Sequence, residues 1–521
     1  MGGAHNIAYG KRLNRGANRL NDDRSVSLDN STCLTIAEPA THAVIERVPI
    51  TQHCDVVRAV KRATSVQPAW AACSLKDRAN WLLQWRRKLV NNGEQLTQLL
   101  SRENGKPLHE AWLHELMPLC DAISWLANEA PKLLGERTIP LRWMKQHKSL
   151  LVSKPKGQCA IISPYNFPLM IPFSDAAAAL VAGCSVLIKP SEHTPLTALA
   201  VAKLALESGL EPGLLQILPG GPDVARSLID SGVDEVLFTG SLGHGREIAC
   251  RCADKLIPCT LELGGKAPLL VLEDANVDNA AAAIVLGALA NSGQSCIAVE
   301  RVLVHTKIHQ RLVDAVVDRV KRLRQGNSML AEVDLGALTS LHHLEHVQRQ
   351  VDAALAMGAT LLHGGHRNSE PGNFFQPTVL DGCTPEMSIT IEETFGPVIP
   401  IVPIESVPMG LEIANCGATG LAAYVFGDNE EKLDWIARRL RAGHVLLNDV
   451  LWSYICPEIP FGGLNQSGWG VVHGAEGLRT HTHSVHLGSS RFKVPEVFGL
   501  GFPYSKGPRT LLKQALRLIT R

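Results

Sequence analysis

The chain has 521 residues, too many for one hydrophobic core, so two or more lobes are expected. With 51 basic against 50 acidic residues, it carries no global field that would draw in nucleic acid or acidic lipid, which leaves a small molecule or a protein as partner. Hydrophobic residues at 45% and charged residues at 19% are an ordinary globular composition, and no apolar run reaches the roughly 18 residues that a membrane helix needs.

Residues 1–33 hold several Arg, Asn and Asp and little that packs, and read as a flexible extension. They lack the basic and apolar blocks of a secretory signal, and Asp22, Asp23 and Asp29 weaken a transit-peptide reading. Residues 53–73 and 76–102 have the spacing of amphipathic helices. A regular series follows: strand Gln158–Ser163, helix Leu169–Ala182, strand Ser185–Lys189, helix Leu196–Leu206, then strands Leu214–Leu218 and Glu235–Thr239 separated by the turn signal Pro219-Gly220-Gly221. Helix Gly245–Lys255 and strand Cys259–Glu262 complete a doubly wound, Rossmann-like α/β pattern. A second α/β series begins after Gly265, with helices near 277–290, 308–324 and 341–357 and strands near 398–403, 421–425 and 444–448. The tail Leu511–Arg521 has helical apolar spacing and a basic face, and reads as a terminal helix docked on its own protein. There are thirteen cysteines, without metal spacing. They predict reduced thiols, no metal, and a cytoplasmic protein.

Five short runs carry chemistry. Ser292-Gly293-Gln294-Ser295-Cys296 puts a thiol on a tight turn among small neighbours, where a thiolate has room to attack an electrophile; by itself such a loop cysteine is commonly inert. Glu262-Leu263-Gly264-Gly265-Lys266 ends a strand with a carboxylate placed as a general base, although a plain strand end is the commoner reading. Pro164-Tyr165-Asn166-Phe167-Pro168 offers an amide donor for an oxyanion, or simply a helix cap. Lys189-Pro190-Ser191-Glu192 sits at a strand end, where doubly wound sheets hold cofactors. Phe238-Thr239-Gly240-Ser241-Leu242-Gly243-His244-Gly245 is a strand, glycine turn and helix start suited to pyrophosphate.

In this order the runs PYNFP, KPSE, FTGS, LELGGK and SGQSC resemble the aldehyde dehydrogenase superfamily, joined by Glu392-Glu393-Thr394-Phe395-Gly396-Pro397 and Pro460-Phe461-Gly462-Gly463. Weaker matches lie at Ile36–Thr41 and Glu103-Asn104-Gly105-Lys106, so the resemblance covers about residues 34–490. It implies Cys296 as nucleophile, Glu262 as base, and Asn166 with the Cys296 backbone N–H as oxyanion hole. It further implies Lys189 and Glu192 on the adenosine ribose, Gly240, Ser241 and Gly245 on the pyrophosphate, and Glu393 and Phe395 on the nicotinamide ribose. The family fold implies a cofactor-binding domain (34–132 and 152–264), a catalytic domain (265–478), an oligomerisation flap (133–151 and 479–495) and a tail (496–521), assembled as a homodimer or homotetramer. The expected reaction is NAD(P)-dependent oxidation of an aldehyde to the acid through a thiohemiacetal and thioester, since the presence of Glu262 favours hydrolysis over acyl transfer. A carboxylate at 192 suits a 2′-hydroxyl, which favours NAD with NADP as the alternative.

The chain departs from the family at Tyr165, where Trp is usual, and at Val471-Val472-His473, where the family's auxiliary Glu is absent. His473 reads as structural rather than as a relay. His481-Thr482-His483 replaces Tyr-Thr-Glu and reads as an exposed strand face rather than a metal site. Where semialdehyde enzymes carry Arg, this helix has Ser174 and Asp175. The placeable pocket residues Phe167, Ile171 and Phe461 are apolar, so an aliphatic or aromatic aldehyde is expected, with a semialdehyde as the alternative.

Overall fold

The computed structural model describes residues 32–490 apart from 143, 144, 146, 331, 369 and 370, together with 513, 514, 516 and 517. The flexible extension predicted for 1–33 and the helix predicted for the tail therefore lie almost wholly outside the described residues, while Cys33 already belongs to a strand, Cys33–Ala37.

Two sheets organise the chain. The first has six strands in the order Gly468–Trp469, Cys259–Leu263, Glu235–Gly240, Gln158–Ile162, Ser185–Lys189 and Leu215–Ile217. All are parallel except Gly468–Trp469, which pairs antiparallel with the strand bearing Glu262. Every residue of Gln158–Ile162 and Ser185–Lys189 is buried, as expected of parallel strands covered on both faces. From Gln158–Ile162 the chain winds first to one side and then returns to build the other. A crevice therefore opens beyond the carboxyl ends of the central strands, where the order reverses.

The second sheet has seven strands, with Arg301–His305 and Pro268–Val271 near its centre, flanked by Val398–Ile404 and Ala422–Phe426. A separate three-stranded antiparallel sheet joins Arg137–Thr138, His147–Pro155 and Thr482–Ser490, in register from Thr482 opposite Pro155 to Ser490 opposite His147.

Helix Met170–Ala182, which follows the Asn166 loop, is buried on almost every side. Trp85 lies edge-on to Phe173 at 6.1 Å and stacks on Trp81 at 5.4 Å. At its far end Trp70 Nε1 donates to the Leu180 carbonyl at 2.8 Å and Arg78 Nε to that of Val181 at 2.8 Å, so side chains satisfy the orphan carbonyls of the last turn.

Several sequence expectations are corrected. The helix expected over 76–102 is two, Leu75–Asn91 and Gly93–Asn104, because Asn92 leaves helical geometry and a side chain at 93 would meet Trp112 at 2.7 Å. The helix expected at Gly245 begins at Leu242, and Pro219-Gly220-Gly221 leads into an unforeseen helix, Pro222–Asp230. His481, expected on an exposed face, is buried and hydrogen-bonds Glu235 through Nδ1 at 2.8 Å.

Candidate active site

The loop bearing Cys296 follows helix Val277–Leu289. Asn291, Ser292 and Gly293 all adopt left-handed backbone, with φ of 51°, 55° and 76°. Two of these are not glycine, a costly conformation that persists only where surroundings enforce it. Here they do. Asn291 N–H donates to Glu110 at 2.8 Å, Ser292 Oγ to the Gly336 carbonyl at 2.9 Å, and Thr339 N–H to Gln294 Oε1 at 3.0 Å. Gly293 is required: a Cβ there would lie 2.2 Å from the Gly396 carbonyl oxygen. The turn delivers Cys296 half-buried to the crevice. Burial first, then the carboxyls of Glu393 and Glu262, push its thiol up to about 12, opposed by the backbone N–H groups of Cys296 and Ile297.

Asn166 is buried and its Nδ2 donates to the Gln294 carbonyl at 3.0 Å, which fixes the amide beside the cysteine turn. Its own carbonyl accepts from Lys106 Nζ and Asn291 Nδ2, both at 2.9 Å. Lys106 is fully buried and paired with Glu115, whose other oxygen accepts the Leu169 and Met170 N–H groups at 3.0 and 2.8 Å. The same ammonium stands 3.8 Å over the Phe167 ring. Asn104 Nδ2 donates to the Tyr165 carbonyl at 2.7 Å, and Glu103 accepts the N–H groups of Leu196 and Thr197 at 2.8 Å each. The Glu103–Lys106 run thus holds two helix starts and the Asn166 loop together.

Glu262 is buried, and neither carboxylate oxygen has a hydrogen-bond partner among the described residues. Burial, and secondarily Asp175, hold its carboxyl well above the usual range. Burial first, then the charges of Asp175, Cys296 and Glu262, push the Tyr454 hydroxyl well above its usual range, with Ser174 opposing. The Tyr454 ring meets His473 at 4.6 Å and Phe461 edge-on at 4.7 Å. Phe461 is fully buried and stacked on His444 at 4.3 Å, so it forms a wall behind Tyr454. Ile171 is buried and Phe167 half-buried.

A nicotinamide dinucleotide fits the crevice. Lys189 Nζ, at a strand end, donates to Glu192 Oε2 at 3.2 Å and to the Gly220 carbonyl at 2.8 Å. Against the cost of burial, Lys189 holds the Glu192 carboxyl below its ordinary value. Helix Leu242–Asp254 starts at Ser241 without a side-chain cap, and the space around Gly221 and Gly243 is open, so its first N–H groups are free for an anion. Gly245 falls in that helix's first turn, where a side chain would strike Leu263 at 2.5 Å. Glu393 arches over the Gly264-Gly265 turn: it accepts the Gly265 N–H at 3.2 Å, and a Cβ on Gly264 would meet its carboxylate at 2.3 Å. Burial and neighbouring Glu300 push the Glu393 carboxyl up to about 8. Phe395 adopts left-handed backbone with φ of 54°, and its ring lies edge-on to Tyr165 and His343.

Sequence reasoning missed the groups that hold the Glu393–Phe395 segment. Glu300 accepts the N–H groups of Thr394 and Phe395 at 2.9 and 2.8 Å, Lys266 pairs with Glu300 at 2.6 Å, and His343 Nε2 contacts the Phe395 carbonyl at 2.7 Å. Lys266 lay in plain view as the last letter of LELGGK, but its partner is 34 residues away and carries no local signal.

A family model, Aldehyde dehydrogenase family, matches residues 26–487. The chain is 34% identical to the mitochondrial succinate-semialdehyde dehydrogenase of Rattus norvegicus, over 84% of this chain and 83% of that protein. It is 36% identical to the non-phosphorylating aspartate-semialdehyde dehydrogenase of Halomonas elongata, over 85% and 89%. An NAD⁺ complex of a Bacillus cereus aldehyde dehydrogenase superposes with a TM-score of 0.85 at 33% identity, covering 88% of this chain and 94% of that one. The chain belongs to the aldehyde dehydrogenase family. It is an enzyme that oxidises an aldehyde with NAD(P)⁺ as acceptor. Among the described residues no helix is long and apolar enough to cross a membrane.

Proposed function

We propose that Cys296, Glu262 and Asn166 carry the reaction, that NAD is preferred to NADP, and that the substrate is an apolar aliphatic or aromatic aldehyde. The convergence of thiol, unpartnered carboxylate and buried amide on one crevice carries this reading. Glu262 takes the thiol proton, and the thiolate adds to the aldehyde carbon. Asn166 Nδ2 and the Cys296 N–H stabilise the oxygen that becomes negative, each such donor being worth roughly 10²–10³ in rate. When bound, the dinucleotide supplies the hydride acceptor. Lys189 and Glu192 would hold its adenosine ribose, Gly240, Ser241 and Gly245 its pyrophosphate, and Glu393 and Phe395 its nicotinamide ribose. Glu262 then deprotonates the water that clears the thioester, a task suited to a carboxyl held well above the usual range by burial.

The substrate reading rests on the apolar Phe167, Ile171 and Phe461 and on helix Met170–Ala182, which carries Ser174 and the buried acid Asp175 and no cation to hold a carboxylate-bearing aldehyde. The semialdehyde names of two relatives support the second reading. The nine-residue strand Thr482–Ser490, mostly exposed, supports a role for the three-stranded sheet in pairing subunits as a homodimer or homotetramer. Thirteen cysteines scattered without metal spacing support a reducing compartment, the cytoplasm.

A panel of short, long, aromatic and acidic aldehydes, each run with NAD and NADP, tests the assignment by absorbance of the reduced nicotinamide. Cys296→Ala is expected to abolish turnover while the nucleotide still binds. Glu262→Gln is expected to slow the burst and to lower the steady rate by roughly 10²–10⁴. Preference for a semialdehyde by kcat/KM would overturn the substrate reading, and turnover by Cys296→Ala the chemical one.

A further inference from the structure

The reaction proposed above needs two loops in register: the turn that carries Cys296 and the loop that carries Asn166. A shift of about 1 Å between reacting groups can cost roughly 10²-fold in rate, so their separation has to be held. The Asn166 carbonyl is one place where they are joined. It accepts Asn291 Nδ2, from the cysteine turn, and Lys106 Nζ, both at 2.9 Å. Behind each of these donors stands one carboxylate. Glu110 Oε2 accepts the Asn291 N–H at 2.8 Å. Glu115 pairs with Lys106, and its other oxygen takes the Leu169 and Met170 N–H groups at 3.0 and 2.8 Å.

Glu110 and Glu115 belong to one helical run: Leu108–Ala111, a π-helical turn at Trp112–Leu116, then Met117–Leu133. In a regular α-helix, side chains five residues apart point roughly 140° away from each other. The two carboxylates would then be aimed apart, whereas here the donors they hold meet on a single oxygen. The wide turn supplies the difference. The Met117 N–H reaches back five residues to the Trp112 carbonyl, which takes one extra residue into the turn. Positions 110 and 115 then share a face, as i and i+4 do in a regular helix. The cause is local: Pro118 has no N–H for the His114 carbonyl, and its ring would crowd that carbonyl if the helix stayed regular. The slack shows on the outer side, where Leu113 and Met117 are exposed while Glu115 is fully buried. Turns of this kind are rare and concentrate at functional sites. Glu110 also meets a strained residue, since Asn291 keeps left-handed backbone at φ 51° and ψ 33° without being glycine.

We propose that Glu110 is a positioning residue for the reaction: through the Asn291 N–H it sets the cysteine turn, and the π turn ties that setting to the Asn166 loop held by Glu115. No proton or bond changes hands at Glu110. Its carboxylate acts through Asn291, and what it fixes is the distance from sulfur to the amide that receives the oxyanion. The role rests on Cys296 and Asn166 carrying the reaction.

Glu110→Gln and Glu110→Asp in the full chain test it, beside Cys296→Ala and the unaltered enzyme. Gln keeps the reach and still offers an oxygen to the Asn291 N–H, but has no charge. Asp keeps the charge and is one methylene too short. A positioning role ranks reach above charge, so kcat is expected to fall about tenfold or more further in Glu110→Asp than in Glu110→Gln, toward the roughly 10²-fold of a 1 Å displacement. Dinucleotide Kd and the number of dinucleotide sites per chain should stay unchanged in both. Equal kcat in the two variants overturns the role, and so does the reverse order, which would make the charge the thing that matters. Loss of dinucleotide sites in step with kcat would make Glu110 a residue of stability alone. Deleting the exposed Leu113 returns the turn to regular helix and should lower kcat at least as far as Glu110→Asp; full kcat in the folded deletion overturns the part given to the π turn, and the two Glu110 variants decide the rest where the deletion does not fold. Turnover by Cys296→Ala removes the nucleophile assignment and this role with it. An inactive Cys296→Ala beside a fully active Glu110→Asp removes this role alone.

Discussion

Replacing Lys106 by Met probes how Asn166, the proposed oxyanion donor, is held. The ammonium is fully buried, pairs with Glu115, donates to the Asn166 carbonyl and covers the Phe167 ring. Met fills a similar volume but leaves the Glu115 carboxylate charged in the core with only the Leu169 and Met170 N–H groups to face it. Removing one partner of a buried pair costs about 3–5 kcal/mol, because the remaining charge is uncompensated. Replacing both partners is far milder, so Lys106→Met/Glu115→Gln should recover most of that loss in a denaturant titration. Activity should follow a different rule. Both variants lack the ammonium on the Asn166 carbonyl, so both should lose kcat, up to the roughly 10²–10³ that one oxyanion donor is worth. A single variant that loses less than about 1 kcal/mol refutes the stability argument, since surface changes alone span that range. A double variant with full kcat refutes the positioning argument.

Three further outcomes are expected. Glu192→Ser removes the carboxylate that repels a 2′-phosphate and should move the NADP/NAD ratio of kcat/KM upward by about tenfold, the equivalent of 1.4 kcal/mol; an unchanged ratio places cofactor choice elsewhere. In the enzyme without nucleotide, alkylation of Cys296 by iodoacetamide needs the thiolate. With the thiol pushed up to about 12, the rate should be slow at neutral pH and still be climbing where an ordinary thiol near 8.5 has levelled off; a plateau below pH 9 contradicts this. Gly293→Ala places a methyl against the Gly396 carbonyl in left-handed backbone and should abolish turnover with little change in nucleotide Kd; retained activity would mean the loop yields more easily than its hydrogen bonds suggest.

The first sheet was legible because its strands are short apolar runs punctuated by glycine and proline: Ser185–Lys189 was read to the residue. The centre of the second sheet was not. Pro268–Val271 is only four residues long, and Arg301–His305 begins and ends on residues that look exposed. Arg301 is in fact buried, its guanidinium spent on the carbonyls of Lys266, Thr390 and Ala414. That satisfaction lies in the fold and leaves no trace in periodicity. The same division holds at the site. The motif residues Glu262, Lys189 and Cys296 each sit on a local strand end or turn, which short sequence runs can signal. The pairs behind them, Lys106 with Glu115 and Lys266 with Glu300, had to wait for the coordinates. Tyr454 likewise is one aromatic in an irregular stretch, and only its packing on Phe461 and His473 marks it.

The bond from Asn166 Nδ2 to the Gln294 carbonyl commits one of that amide's two hydrogens and, on the mechanism proposed for Asn166 and Cys296, leaves the other to the substrate. The oxyanion is then fixed in direction as well as in charge. With sulfur fixed on its turn, oxygen fixed by the amide and hydride obliged to face the dinucleotide crevice, the fourth substituent has only the entrance left. Addition therefore occurs on a single face of the flat carbonyl, and the adduct is one mirror form. The thioester is flat again and the product keeps no record of the choice, so this handedness exists only for the lifetime of the intermediate.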